Sequence, residues 1–387
     1  MTLDARSNPS QIAPVAEARD DAGTGEGAHA RVTPQRPEGG EGIEQRKKDH
    51  LDLCATDRVA YRDTTTLLEH VRLVHCSLPE MSLDEVDTSV ELLGKRLRAP
   101  IVIAAMTGGT ERAAEVNRGL AELAEARGYA FGLGSQRAMH KRPESAWTYR
   151  VREVAPTALV LGNVGVVQAR AMSTPQVQAL VDEVGADALC VHMNPAMELV
   201  QPGGDRDFRG GLETFARLVN ELGVPVVAKE TGNGVSESCA LRLRAAGVRH
   251  CDVSGAGGTS WVGVETLRAE GAQRALGEAF WDWGIPTAAS VALVARAGLI
   301  PIATGGIKSG LDVARAVALG AAAGGIARAV LQAWTRGGRH EAESMLDGVE
   351  AELRATMLLT GSRTVGELAR APRLLGAPLR DWLDRSG

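Results

Sequence analysis

The sequence predicts an α/β fold, a (β/α)8 TIM barrel, on three observations. From Arg98 onward, short apolar and partly β-branched runs alternate with Ala-rich stretches of helical spacing. The apolar runs show no alternation of polarity, as expected for strands buried on both faces of a parallel sheet. Nearly every run ends in a polar or glycine-rich segment, which is where a barrel carries its functional groups.

The eight expected strands are Ile101 to Ala104, Tyr129 to Leu133, Ala158 to Leu161, Ala188 to Val191, Val224 to Ala228, His250 to Ser254, Ile285 to Ala289 and Ile300 to Thr304. Between them Ala113 to Arg127, Thr174 to Val184, Leu212 to Leu222 and Ser236 to Ala246 read as helices. A doubly wound open sheet would carry GxGxxG after its first strand, and Met106-Thr107-Gly108-Gly109 stands there instead. The flanks differ from the barrel. Residues 1–42 are rich in Pro, Gly, Ala, Glu and Arg without a periodic apolar pattern, and are expected to be a disordered tail. Residues 43–97 are expected to cover the barrel, 98–345 to form it, and 346–387 to add a helical extension, with an amphipathic helix over Val349 to Leu359.

Composition narrows the function. The 387 residues carry a net charge of −5, which gives no reason to expect nucleic acid or an anionic membrane as partner. There is no apolar run long enough to span a bilayer, and Asp4 and Arg6 interrupt the start where a secretory signal would be apolar. The five cysteines are scattered without a CxxC pair, which fits a reducing cytoplasm and neither a disulfide framework nor a zinc site.

The strand ends carry the candidate chemistry. Strand one is followed by Thr107-Gly108-Gly109 and strand two by Gly134-Ser135-Gln136-Arg137. Strand three leads to Asn163, strand four to His192 and Asn194, strand five to Lys229-Glu230, and strand six to Ser254-Gly255. The expected eighth strand runs into Thr304-Gly305-Gly306-Ile307-Lys308, with Gly324-Gly325-Ile326-Ala327-Arg328 beyond. Glycines let backbone N–H groups approach an anion, and a following helix turns its positive end toward it. Barrels build phosphate sites from their last two loops, so this segment is read as one. Lys229 ends an apolar strand. It is read as a cation beside the N1–C2=O edge of a flavin, with a Schiff-base lysine or an ion pair with Glu230 as alternatives.

Longer motifs resemble the FMN-dependent type II isopentenyl diphosphate isomerases. They are RKKDH (Arg46 to His50), MTGG (Met106 to Gly109), GSQR (Gly134 to Arg137) and GNVG (Gly162 to Gly165). HMNPAMELVQPGGDRDF (His192 to Phe208), VAKETGNG (Val227 to Gly234), DVSGAGGTSW (Asp252 to Trp261), FWDWGIPT (Phe280 to Thr287) and ATGGIKSG (Ala303 to Gly310) extend the match. RKKDH and the strand-four segment with its GDRDF tail are the most specific of these.

The resemblance implies a set of roles. Met106, Thr107, Gly108, Ser135, Asn163, Lys229, Ser254 and Thr259 would hold FMN, with Gly305, Gly306, Ile307, Ala327 and Arg328 around its phosphate. Arg46, Lys47 and Arg137 would bind the diphosphate of a prenyl substrate, with Ser135, His192 and Asn194 also lining its pocket. Glu198 would be a Mg²⁺ ligand, and NADPH would reduce the flavin. The family tends to form tetramers or octamers, so a homo-oligomer is expected. The implied reaction interconverts isopentenyl and dimethylallyl diphosphate with no net redox change.

One departure falls at the reacting end. Met197 stands where the family has Gln, and a thioether has no proton to give and accepts hydrogen bonds only weakly. Two enzymatic readings follow: an isomerase that tolerates Met197, with His192, Asn194 and Met197 at the reacting centre, or a relative that keeps FMN, Mg²⁺ and a prenyl diphosphate but does other chemistry. A non-catalytic flavin- or diphosphate-binding protein is a third. An α-hydroxy-acid oxidase would want a histidine base late in the barrel, and after strand six no His occurs until His340.

Overall fold

A computed structural model of the chain describes residues 40–384. Eight strands close into a barrel: β1 (Ile101–Ile103), β2 (Ala130–Gly132), β3 (Leu159–Gly165), β4 (Ala188–Met193), β5 (Val226–Glu230), β6 (His250–Asp252), β7 (Ile300–Thr304) and β8 (Ala323–Ile326). Each strand pairs in parallel with the next, and β8 returns to β1.

The continuous apolar runs follow from burial on two sides. Along β1, Val102 packs in one cluster while Ile101 and Ile103 pack in another. The first cluster, with Ala130, Leu159, Leu161, Ala188, Val227, Ile302 and Ala323, fills the barrel; the second lies between strands and helices. Successive side chains of a strand point to opposite faces, so a strand with no polar face reads as an unbroken apolar run. Leu92 and Leu97 belong to the inner cluster and come from a hairpin, Val90–Leu92 paired with Lys95–Leu97. That hairpin directly precedes β1 and so sits at the N-terminal end of the barrel, opposite the strand ends that carry the polar groups.

The principal helices are α1 (Gly40–Cys54), α2 (Glu111–Arg127), α3 (Thr174–Val184), α4 (Gly211–Glu221), α5 (Glu237–Ala245), α6 (Thr287–Arg296), α7 (Gly310–Ala318) and α8 (Arg328–Leu359). Local chemistry marks their ends. The Thr110 side chain accepts from Ala113 N to start α2, and Gly128 ends it with φ of 65°. Ser173 and Gln176 form a capping box at the start of α3. The β2–β3 crossover has only a short helix, Arg137–Lys141, and a 3₁₀ run, Pro143–Tyr149.

Four expectations need correction. Ile285 to Ala289 is no strand: Pro286 precedes the first turn of α6, and Ala288 and Ala289 are buried on that helix. Ile300–Thr304 is therefore the seventh strand, and the glycine loop Gly305 to Lys308 follows strand seven. Gly324 and Gly325 are not loop residues but the body of strand eight. They are glycines because a Cβ at Gly324 would lie 2.8 Å from Val313 Cγ2, and one at Gly325 would overlap the Thr304 hydroxyl. The boundary expected at 345/346 falls inside α8, which runs on past a non-helical break at Gly337 and Gly338. The stretch expected to be disordered lies outside the described residues up to residue 39, and α1 begins at Gly40, three residues before the expected boundary. No helix among the described residues is long and apolar enough to cross a membrane.

Helices α7 and α8 meet at a glycine. A Cβ on Gly310 would overlap the Val349 carbonyl and the Leu353 amide, both backbone atoms that cannot rotate away. Gly310 N–H also donates to Glu352 Oε2 at 2.8 Å. Gly310→Ala is expected to destabilise the fold by about 3 kcal/mol through overpacking, read as a lowered thermal midpoint against wild type.

Candidate functional site

A cavity of about 370 Å³ opens at the C-terminal ends of the barrel strands. Its size is within the range of small-molecule sites. The strand register decides which side chains meet there. Gly165, His192, Lys229 and Asp252 are lateral partners on β3, β4, β5 and β6. Parallel strands in register project paired residues to the same side, so these four form one row across the barrel.

One end of the cavity is built of backbone. Gly305 and Gly306 have φ of 104° and 76°, a left-handed region that glycine enters freely. The loop Gly255 to Gly258 packs directly on them: a Cβ on Gly305 would overlap Gly255 O, and one on Gly258 would overlap Gly306 N. Ser309 caps α7 by accepting from Asp312 N at 3.1 Å, and α8 starts at Arg328. Helix starts carry unsatisfied N–H groups and positive potential. Thr304 Oγ1, Arg328 Nη1 and Thr107 Oγ1 are buried with no hydrogen-bond partner, although all three residues line the cavity. Buried polar atoms are ordinarily paired, so this end is shaped for a polar, anionic group. Ile307, Ala327 and Thr259 complete its wall.

Another part of the wall carries side-chain cations. Arg46 and Lys47 come from α1, and Arg137 from the start of the short helix Arg137–Lys141 after β2. Burial, and then Arg137, push Arg46 below its ordinary range against the pull of Glu265 and Glu198. Burial, then Arg46 and Arg137, bring Lys47 down to about 8. These cations repel one another, and a multiply charged anion between them would relieve that repulsion. Arg137 also lies 3.9 Å from Asp205 Oδ2.

Helix α1 is fixed over the mouth by the rest of the RKKDH segment. His50 Nε2 lies 2.7 Å from Glu265 Oε1. The other Glu265 oxygen accepts from Arg268 Nη1 at 2.7 Å, and Arg268 Nε reaches Asp49 Oδ2 at 3.1 Å. The His50 ring also meets Trp261 edge to face. Asp49 and His50 thus anchor the helix to Trp261–Arg268, and Arg46 and Lys47, a turn earlier, line the cavity.

Neutral and acidic groups form the middle. Asn163 Nδ2 donates to Leu133 O at 3.0 Å, which turns its Oδ1 toward His192 Nδ1 at 2.8 Å. His192 therefore carries its proton on Nδ1 and leaves Nε2 as an acceptor. Burial, and then Lys229, Lys47 and Arg137, lower His192 to about 3. Lys229 Nζ donates to Asp252 Oδ2 at 2.7 Å; this partner, rather than Glu230, answers the open question of its ion pair. Asn194 Nδ2 donates to Glu198 Oε1 at 2.9 Å and approaches the Met197 sulfur at 3.8 Å. Glu198 Oε2 accepts from Asp205 N at 2.8 Å. A single buried carboxylate is no metal cage, and no cluster of three or more His, Cys, Asp or Glu able to hold a metal occurs among the described residues.

Of the residues singled out in the sequence, Met106, Ser135, Ser254 and those already placed line the cavity; Gly108 does not. It packs against the Tyr149 ring, which a Cβ at that position would overlap. Sequence reasoning missed Gln168, Gln201 and Thr231, which also line the cavity. Thr231 was visible as a polar residue past strand five and Gln201 lay within the strand-four motif, whereas Gln168 sits in a helical turn without a motif of its own.

The low pKa of His192 has a consequence for stability. An unfolded histidine takes a proton near pH 6.5, whereas folded His192 does so only near 3. As pH falls below 6.5 the unfolded chain binds the extra proton, so this group's contribution to stability is lost on acidification. The expected loss is about 2 kcal/mol between pH 7 and pH 5. Urea unfolding of the ligand-free protein should show it, and His192→Gln should flatten that acid limb.

Comparison with known proteins agrees with this architecture. A family model described as FMN-dependent dehydrogenase matches residues 41–193 and 173–374. The isopentenyl-diphosphate delta-isomerase of Methanothermobacter thermautotrophicus is 44% identical over 347 residues, 89% of this chain and 97% of that protein. The isopentenyl-diphosphate delta-isomerase of a Nostoc species is 44% identical over 339 residues, 86% of this chain and 95% of that protein. Among solved structures, mandelate oxidase with (S)-2-phenylpropionate superposes with a TM-score of 0.58 at 20% identity, covering 87% of this chain and 98% of that one. At that identity the likeness speaks for the barrel alone. Identity above 40% along almost the whole length decides the rest: the chain belongs to the type II isopentenyl-diphosphate delta-isomerase family, on the barrel of the FMN-dependent dehydrogenases.

Proposed function

We propose that this protein binds FMN and Mg²⁺ and interconverts isopentenyl and dimethylallyl diphosphate, as a cytoplasmic enzyme of isoprenoid biosynthesis and a homo-oligomer. The observation that carries the reading is one cavity lined by two groups suited to anions, the glycine-backbone loops and the cations Arg46, Lys47 and Arg137. One suits the single phosphate of FMN and the other a diphosphate substrate. The orphaned Thr304 Oγ1, Arg328 Nη1 and Thr107 Oγ1 fit the polar parts of a bound nucleotide. When bound and reduced by NADPH, FMN supplies a group at its ring face that gives and takes a proton without net redox change.

The chain's own residues set the conditions for that chemistry. Gly305, Gly306, Ile307, Ala327 and Arg328 would hold the FMN phosphate; Met106, Thr107, Ser135, Asn163, Ser254 and Thr259 would border the remainder of the molecule. Lys229 supplies a positive charge where the reduced ring is electron-rich. His192, neutral across the working pH range, is no acid for an alkene; with Asn163 fixing its tautomer, it shapes the substrate pocket without adding a cation. Arg46, Lys47 and Arg137 bind the diphosphate. Glu198, oriented by Asn194, would hold Mg²⁺ together with diphosphate oxygens, which suits a cation that prefers oxygen ligands shared with substrate. α1, held down by His50 and Glu265, covers the mouth and limits water, which would otherwise capture a cation-like transition state.

The deciding assay uses purified protein, FMN, Mg²⁺ and NADPH under anaerobic conditions, with isopentenyl diphosphate as substrate. Formation of dimethylallyl diphosphate is the expected result; a protein that binds FMN and turns over neither isomer would reject the reading. Arg46→Ala is expected to raise KM on the order of 10²-fold through loss of a charge-assisted contact, with FMN content unchanged by absorbance.

Met197 is a second place to test. Its sulfur is a weak acceptor for the Asn194 amide. Gln has similar length and flexibility and brings an amide to the reacting end. Met197→Gln is expected to raise turnover on the order of 10²-fold if that contact forms mainly in the transition state. An unchanged kcat in a variant that still holds FMN would favour a pocket devoted to different prenyl diphosphate chemistry.

A further inference from the structure

The function proposed for Lys229 leaves its partner without a role. Lys229 on β5 and Asp252 on β6 are register partners. Their side chains are 8% exposed and joined at 2.7 Å. The other Asp252 oxygen, Oδ1, accepts from the Ser254 backbone N–H at 3.2 Å. Ser254 has φ of 34°, a left-handed conformation that a serine does not favour and that its surroundings must impose. Lys229 and Ser254 line the cavity; Asp252 stands behind both.

Resting on the FMN reading, we propose that Asp252 is a positioning residue for the flavin: it keeps Lys229 charged and directed along the barrel row, and holds the Ser254 turn beside it. A buried ammonium without a counter-charge gives up its proton readily. Burial acts in that direction on Lys229, yet its pKa is raised, and the Asp252 carboxylate leads the groups that oppose burial. Cys190 and Glu230 act in the same direction on Lys229, but neither is hydrogen-bonded to it. Glu230, on the same strand, is engaged by the backbone N–H groups of Thr231, Gly232 and Asn233. On β4, His192 is neutral, and burial pushes the Cys190 thiol up to about 12. On β6, burial also keeps Cys251 protonated.

The test compares the reduction midpoint of bound FMN in wild type and Asp252→Asn at pH 6 and pH 9. Asn keeps an acceptor for Ser254 N–H and presents its NH2 to Lys229, so the charge and the Lys229 acceptor go together. Wild-type Lys229 stays charged at both values. In the variant it should lose its proton toward pH 9, so the variant-minus-wild-type midpoint becomes more negative from pH 6 to pH 9. Glu230, which burial raises to about 7, titrates in this window in both proteins, so the difference is the relevant quantity. A difference that does not change with pH overturns the proposal.

A melting cycle with Asp252→Asn, Lys229→Met and the double variant needs no flavin. The double variant should lose less Tm than the sum of the single losses, because it leaves no unpaired buried charge. Additive losses overturn the pairing. Wild-type protein that takes up no FMN would reject the functional reading instead, and the cycle would still decide whether Asp252 holds Lys229.

Discussion

The parallel register of the closed barrel is the constraint on which the site depends. Hydrogen bonding between neighbouring strands fixes Gly165 beside His192, His192 beside Lys229, and Lys229 beside Asp252. A slip of one residue in any pair would turn one of these side chains into the helix layer. The row gains its chemistry from what lies next to what: Lys229 helps keep His192 neutral, Asp252 keeps Lys229 charged, and Gly165 leaves room, since a Cβ there would lie 3.0 Å from His192 Nε2.

The cavity separates two ways of holding an anion. On the glycine side, backbone amides and helix starts supply partial charges that cannot titrate or swing away. On the α1 side, whole charges sit on side chains that repel each other, and burial has already moved Lys47 toward neutrality. A rigid, permanent cradle suits a resident cofactor. A strained cationic cluster, carried on a helix held by His50, Glu265, Arg268 and Asp49, suits an anion that arrives and leaves with each turnover. The RKKDH segment unites both tasks within one turn of helix, with grip at Arg46 and Lys47 and anchor at Asp49 and His50.

The same barrel occurs in mandelate oxidase, and the likeness extends over 98% of that chain at 20% identity. Fold alone therefore decides little about chemistry. The distinction lies in side chains at the strand ends. Here the middle of the cavity holds a neutral histidine, an asparagine pair, one shielded carboxylate and Lys229 paired with Asp252, with further cations on α1 and the short helix after β2. Met197 adds an apolar side chain beside them, and it leaves the Asn194 amide with a poor acceptor on that side.

The sequence by itself determined the class of fold and most of the cavity wall. Strands buried on both faces leave unbroken apolar runs, and polar residues at their ends, such as His192 and Lys229, are conspicuous against them. Motif resemblance then assigned roles to residues as far apart as Arg46 and Arg328. It misread two short stretches. Ile285 to Ala289 has a strand's composition, but Pro286 starts a helix there; Gly324-Gly325 has a turn's composition, but it is a strand whose Cβ positions are occupied by Val313 and Thr304. Only the tertiary structure decided that Gly108 faces Tyr149 and not the cavity, that Glu265 holds His50 across 215 positions of chain, and that Asp252 rather than Glu230 partners Lys229. Composition and spacing carry local periodicity and backbone need. Which buried charge meets which depends on strand register and barrel closure, and these are set by packing between segments far apart in the chain.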